Sequence, residues 1–77
     1  MTRNEAAIVR KYRLTDVATL RYMRDTAAGV LKQANANWSA AYAVNDTAAL
    51  LQWAEVINAN WDAQSEVNFV LAIRNAA

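Results

Sequence analysis

The sequence predicts an all-α fold, a small helical hairpin or three-helix bundle in which a short N-terminal helix precedes two long antiparallel helices. The 77-residue chain has no proline and a single glycine, Gly29, so it contains almost no strong helix breakers. Alanine is frequent, and apolar residues recur at helical spacing without the alternation of a strand. A chain of this length forms one small unit, and we assign residues 1–77 to a single helical domain.

The first helix is predicted over residues 3–13. Thr2 and Glu5 have the spacing of a capping box, in which each side chain accepts a hydrogen bond from the other residue's backbone N–H. Three basic residues fall in the last turn, where cations interact favourably with the negative end of the helix dipole. These signals define both ends of the helix.

The second helix is predicted over residues 16–45, with Thr15 or Asp16 as its N-cap. Its apolar residues follow a heptad spacing. One seam consists of Leu20, Ala27, Ala34 and Ala41, and the other of Met23, Val30, Asn37 and Val44. We expect the helix to continue through Gly29, because the residues that follow have no loop chemistry; the alternative is a shorter helix that ends near residue 28.

The third helix is predicted over residues 46–75, after the turn signal Asn45-Asp46-Thr47, with Asp46 as its N-cap. The heptad starts again there. One seam consists of Leu50, Ile57, Gln64 and Leu71, and the other of Trp53, Asn60, Val67 and Arg74. The bulky residues of these seams can fill the space opposite the alanines of the second helix, which favours a closely packed antiparallel pair.

A tetrapeptide occurs twice in the chain. Asn35-Ala36-Asn37-Trp38 returns 23 residues later as Asn58-Ala59-Asn60-Trp61. An internal repeat indicates that two segments use the same face for similar packing. Its seam asparagines, Asn37 and Asn60, have two interpretations: they set the register of a contact with another chain, or they lie at the edge of the bundle and bond water or backbone.

The apolar residues exceed what the seam between two helices can bury. The additional residues are Trp38, Tyr42, Trp61, Phe69, Val70 and Ile73. In one interpretation they form the wide core of a three-helix bundle. In the other they form an exposed apolar strip that dimerises or docks on a larger assembly.

Enzymatic chemistry has little support in the composition. The chain has no histidine and no cysteine, which removes the usual proton shuttle, the thiolate nucleophile and the commonest zinc ligands. Asp62 and Glu66, one helical turn apart with Asn58 nearby, are a weak candidate for a hard cation, and a solvated helix face explains them better. We therefore predict a protein that is not an enzyme, with no catalytic residue, no cofactor and no metal.

The first function hypothesis is a structural or interaction protein that binds protein, either copies of itself or a larger assembly such as a virus particle. Large aromatic side chains dominate the energetics of such interfaces. The predicted interface residues are Trp38, Tyr42, Trp61, Phe69, Asn37 and Asn60.

The alternative hypothesis is a small nucleic-acid-binding protein that uses the basic N-terminal half. Residues 1–32 contain seven of the eight basic residues and three of the seven acidic ones, for a net charge of +4. The residues in question are Arg10, Lys11, Arg13, Arg21, Arg24 and Lys32. Contacts of such residues with phosphates dominate nucleic-acid affinity, but the net charge of the whole chain is only +1.

The sequence also suggests where the protein works. The first residues lack the apolar stretch of a signal peptide. No run approaches the roughly 20 apolar residues that cross a bilayer, so we expect no membrane partner. A soluble protein of the cytoplasm or of a virion is the resulting expectation.

Overall fold

The computed structural model describes residues 1–75 and contains three helices in that range, with no strand. They are α1 (Arg3–Lys11), α2 (Val17–Ala43) and α3 (Thr47–Ile73). The all-α prediction is confirmed, and the last two residues of the predicted domain 1–77 lie outside the described range. The two long helices form an antiparallel hairpin, so the molecule is elongated, with extents of 44 × 25 × 16 Å.

Helix α1 begins with the predicted capping box. The Thr2 hydroxyl accepts a hydrogen bond from the Glu5 N–H at 3.1 Å, and the Thr2 N–H donates to the Glu5 carboxylate at 2.9 Å. The helix ends at Lys11, two residues before the predicted end at 13, and Tyr12 is its C-cap. The Tyr12 side chain is buried, because the chain leaves the helix where it meets the rest of the core.

Helix α2 is continuous through Gly29, as predicted. Its N-cap is Asp16, whose carboxylate accepts a hydrogen bond from the Thr19 N–H at 2.8 Å. This bond satisfies one of the backbone donors that a helix leaves unpaired at its first turn.

The turn between α2 and α3 determines where α2 ends and where α3 begins. Asn45 adopts the left-handed conformation, with φ of 55°, which asparagine tolerates better than most residues. The Asp46 N–H donates to the Ala41 carbonyl at 3.0 Å and the Asn45 N–H to the Tyr42 carbonyl at 3.2 Å, which is a Schellman motif. The Asp46 carboxylate then caps α3 by accepting from the Ala49 N–H at 3.1 Å. Together with the N-cap Asp16 of α2 and the C-cap Arg74 of α3, the turn shortens the predicted helices 16–45 and 46–75 to Val17–Ala43 and Thr47–Ile73.

One of the two heptad seams on α2 is buried along its whole length. Its members are Leu20, Ala27, Ala34 and Ala41. On the other seam, Val30 and Val44 are exposed, so their predicted inward position is wrong. Met23 and Asn37 of this seam are half-buried, and Val44 is the C-cap of α2, where the chain has left the helix.

The hydrophobic core lies at the open end of the hairpin, where α1 packs against α3. Its buried residues are Tyr12, Leu20, Val67, Val70 and Leu71, with Ile8, Val17, Met23 and Phe69 partly buried around them. Each of the three helices, or the residue that caps it, contributes to this cluster. The open end is therefore the part of the molecule with three-helix packing.

Arg74, the C-cap of α3, connects this end of the hairpin to the segment between α1 and α2. Its guanidinium donates hydrogen bonds to the backbone carbonyls of Tyr12, at 2.7 Å, and Thr15. A planar guanidinium presents several donors in fixed geometry and suits two acceptors at once. Arg74 therefore holds α1 against the hairpin through backbone groups.

Replacing Gly29 with alanine is expected to stabilise the protein by about 0.5–1 kcal/mol, because glycine in a helix interior costs conformational entropy. An added Cβ meets no heavy atom within 4 Å, so no clash opposes this gain. Thermal unfolding should show a rise in Tm of a few degrees, at about 4–8 °C per kcal/mol for a domain of this size. A lower Tm would contradict the continuous helix.

Candidate protein interface

The part of the hairpin next to the turn buries much less apolar surface than the open end. We define the turn segment as residues 26–64, which lie symmetrically about Asn45. Its buried residues are three alanines and Leu31, all on α2. Large apolar side chains are exposed instead: Val30, Trp38, Tyr42, Val44, Leu51 and Trp61. Two helices alone cannot enclose these side chains, because each has only one neighbour.

Apolar side chains of this segment lie on one side of the hairpin. The rings of Trp38 and Tyr42 stack, with centroids 5.5 Å apart and planes 16° from parallel. Leu31 lies two turns before Trp38 on the same side of α2, and Ile57 and Trp61 lie one turn apart on α3. Helical periodicity in an antiparallel pair places both groups on the same side of the hairpin. We call Leu31, Trp38, Tyr42, Ile57 and Trp61 the aromatic face.

Helix α1 does not cover the aromatic face, because it lies on a different side of α3. Its contacts are with Glu66 through Lys11 and Tyr12. Tyr42 and Trp61 remain 64% and 62% exposed, and Trp38 36%. The structure thus brings three of the predicted interface residues to one exposed surface. Phe69 lies elsewhere, packed against the core cluster beside α1.

The two repeated asparagines are half-buried and bonded within their own helices. Asn37 accepts a hydrogen bond from the Gln33 side-chain amide at 3.3 Å, and Asn60 donates to the Val56 carbonyl at 2.9 Å. In the antiparallel pair Asn37 lies level with residue 53. The asparagines therefore occupy the seam of the hairpin without requiring a partner chain.

The basic residues of the alternative hypothesis lie mostly around the junction of α1 and α2, whereas Lys32 lies in the turn segment. Lys11 pairs with Glu66 at 3.0 Å and Arg24 with Asp25 at 3.1 Å. Arg24 is half-buried, and the exposed residues of the set are Arg10, Lys11, Arg13, Arg21 and Lys32. Part of the predicted positive surface is thus neutralised by neighbouring carboxylates.

Glu66 is the acceptor of a polar contact that joins α1 to α3. Its carboxylate accepts hydrogen bonds from the Lys11 ammonium at 3.0 Å and the Tyr12 hydroxyl at 2.9 Å. These two bonds stabilise the ionised form and hold the pKa of Glu66 below its usual range. The same bond raises the pKa of Lys11, and burial raises the pKa of Tyr12.

Acid is therefore expected to remove part of the stability that Glu66 supplies. A carboxyl whose pKa is lower in the folded state stabilises fully above its unfolded pKa, about 4.3 for glutamate, and this stability is lost as the pH falls through the folded value. Urea unfolding from pH 7 to pH 3 should show a smaller loss for Glu66→Gln than for the unmodified protein. Glu55→Gln, an exposed carboxylate on the same helix, is the control and should follow the unmodified protein. Identical profiles for all three proteins would contradict this role of Glu66.

A shallow cleft of about 380 Å³ lies between α1 and α3, lined by Glu5, Ile8, Asp62, Ser65, Glu66 and Phe69. Glu5 and Glu66 already accept hydrogen bonds from neighbouring residues. Within residues 1–75 no group of three potential ligands has the arrangement of a metal site. Asp62 and Glu66, the weak cation candidate, line this cleft but gather no further carboxylate into such a group.

None of the helices in the described part of the chain has the length and apolar character needed to span a membrane.

Comparison with known proteins places the chain in no family: no family model matches it, and no curated protein and no solved structure is significantly similar.

Proposed function

We propose that this chain is a non-enzymatic interaction module that binds protein through its aromatic face. The observation that supports the proposal is the exposure of Trp61, Tyr42 and Trp38 on one side of the turn segment. Aromatic residues of this kind provide most of the binding energy at protein interfaces. The partner is another copy of the chain or a larger protein assembly, in the cytoplasm or in a virus particle.

The extent of the exposed surface supports the same proposal. A compact monomer of 8.5 kDa has an accessible surface of about 4,650 Å², whereas this chain exposes 5486 Å². The excess is about 800 Å², which matches what one partner contributes to an interface of standard size.

Truncating Trp61 tests the proposal. Trp61→Ala is expected to weaken association by about 30-fold or more, the effect of losing a binding hot spot of 2 kcal/mol. Because Trp61 is 62% exposed, thermal unfolding should change little. Size-exclusion chromatography with light scattering measures association, and circular dichroism measures stability.

Tyr22→Ala is the matched control, since Tyr22 is an exposed aromatic residue outside the turn segment. It should alter neither association nor stability. If Trp61→Ala instead unfolds the protein, the aromatic residues belong to the core and the proposal fails.

Nucleic-acid binding is the second candidate function, favoured by the exposed Arg10, Arg13 and Arg21 near the α1–α2 junction. Binding through phosphate contacts would be strongest at low salt and would fall steeply as salt is added. Retention on immobilised DNA or RNA at low salt, lost in the double variant Arg21→Glu/Arg24→Glu, is the expected result. Failure of the unmodified protein to be retained would exclude this candidate.

A further inference from the structure

We infer that the partner of the aromatic face is a second copy of this chain, lying antiparallel across a two-fold axis near Asn35. The inference rests on the proposed function and adds the identity and the orientation of the partner. It follows from three observations: the aromatic face carries no charge, its position along the hairpin is known, and the turn segment and the rest of the chain carry opposite net charges.

The aromatic face is suited to contact an identical surface. A two-fold interface brings the same patch of both subunits together, so any charged residue near its centre approaches its own copy. The charged residues of the turn segment are Lys32, Asp46, Glu55 and Asp62. Successive residues of a helix are rotated by about 100°, which places Lys32, Glu55 and Asp62 on sides of their helices away from the aromatic face. Asp46 lies in the turn. The face therefore meets its copy without like-charge repulsion.

The position of the face locates the two-fold axis. Residues equidistant from Asn45 lie level in the hairpin, so Trp61 is level with residue 29. The face then extends from Tyr42 to that level, about 20 Å at 1.5 Å per residue. Its midpoint is close to Asn35, an exposed residue of α2. A carboxamide both donates and accepts hydrogen bonds, so Asn35 can bond its own symmetry mate.

The charge distribution decides between the two possible directions. The turn segment contains one basic and three acidic residues, a net charge of −2, while the rest of the chain contains seven basic and four acidic residues, a net charge of +3. A parallel dimer would place like-charged ends side by side. The turn segments face each other in either direction, because the axis passes through their middle, but an antiparallel dimer keeps the two positive parts at opposite ends, which electrostatics favours.

Cysteine cross-linking tests the orientation, since the natural sequence contains no cysteine. Asn35→Cys places a thiol near the proposed axis. Ala28→Cys, the matched control, is an exposed position two turns earlier on the same side of α2. The two copies of residue 28 would lie about 21 Å apart along an antiparallel dimer, beyond the reach of a disulfide, which requires Cα atoms within about 7 Å.

The expected result is a dimer by light scattering in which Asn35→Cys forms an intermolecular disulfide at least about tenfold faster than Ala28→Cys in a glutathione buffer. Equal rates in a dimer would show a parallel arrangement and overturn the inference while leaving the proposed function intact. A monomer at every concentration would also overturn the inference. The proposed function would then be tested separately, by comparing the binding of other proteins to the unmodified chain and to Trp61→Ala.

Discussion

Replacing Leu71 with alanine is expected to lower the free energy of unfolding by about 3 kcal/mol, within the range of 2–5 kcal/mol for large-to-small changes in a core. Leu71 is fully buried in the cluster formed by Tyr12, Leu20, Val67 and Val70. Proteins have about 0.05–0.15 kcal/mol of stability per residue, so this loss is a large share of the total for a small domain. Urea unfolding followed by circular dichroism measures it.

Leu51→Ala is the control for this prediction, because Leu51 is 65% exposed on α3 in the turn segment. Leu51→Ala should change the free energy of unfolding of the monomer by no more than about 0.5 kcal/mol. The contrast between the two leucines tests the distribution of the core along the hairpin. Equal effects would show that the turn segment is as well packed as the open end.

Replacing Arg74 with glutamine is expected to cost about 2 kcal/mol, since hydrogen bonds to a charged group contribute about 1.5–3 kcal/mol. The change removes both donors to the Tyr12 and Thr15 carbonyls. The loss should be local at first: hydrogen exchange should quicken in residues 3–15 more than in α2 and α3, because α1 depends on this contact.

Two further variants separate geometry from charge in this prediction. Arg74→Lys retains the positive charge but replaces a planar guanidinium with a single ammonium, so it should recover only part of the stability. Arg13→Gln removes an exposed cation near the same junction and should have almost no effect. If Arg74→Lys is as stable as the unmodified protein, the paired carbonyl contact contributes little.

The sequence contained enough information to predict the three helices, because their boundaries depend on local chemistry. Thr2 and Asp46 cap their helices as predicted, Asp16 is the one of the two candidates, Thr15 and Asp16, that caps α2, and Asn45 forms the turn. Capping involves residues within four positions of one another, and such patterns are visible in a sequence. The ends were less accurate, since a helix can stop one or two residues early when its cap adopts a Schellman motif.

The position of α1 was not predictable to the same degree. Its contacts join Lys11 and Tyr12 to Glu66, and Arg74 to the segment after α1, across 54 to 62 residues of sequence. No local pattern specifies such pairs. Arg74 was assigned to a heptad seam, with no indication that it binds backbone carbonyls.

The same limitation applies to the candidate interface. The composition predicted an excess of apolar residues and left open whether they form a core or an exposed strip. The answer depends on which side of α3 receives α1, and the sequence does not specify that side. In the structure Phe69 and Val70 are covered near α1, whereas Trp38, Tyr42 and Trp61 are not.

The location of the core far from the turn has a consequence for how the chain folds. Contacts close to Asn45 join residues that are near in sequence, so they form with little loss of loop entropy. They also bury little, because that part of the hairpin contributes mainly alanines. The contacts that bury Leu20 and Leu71 close a loop of about 50 residues, and their stabilisation comes only after that entropy has been lost. We therefore expect zipping from the turn to be uphill in free energy until the two ends of the hairpin meet, and unfolding to be a single cooperative transition.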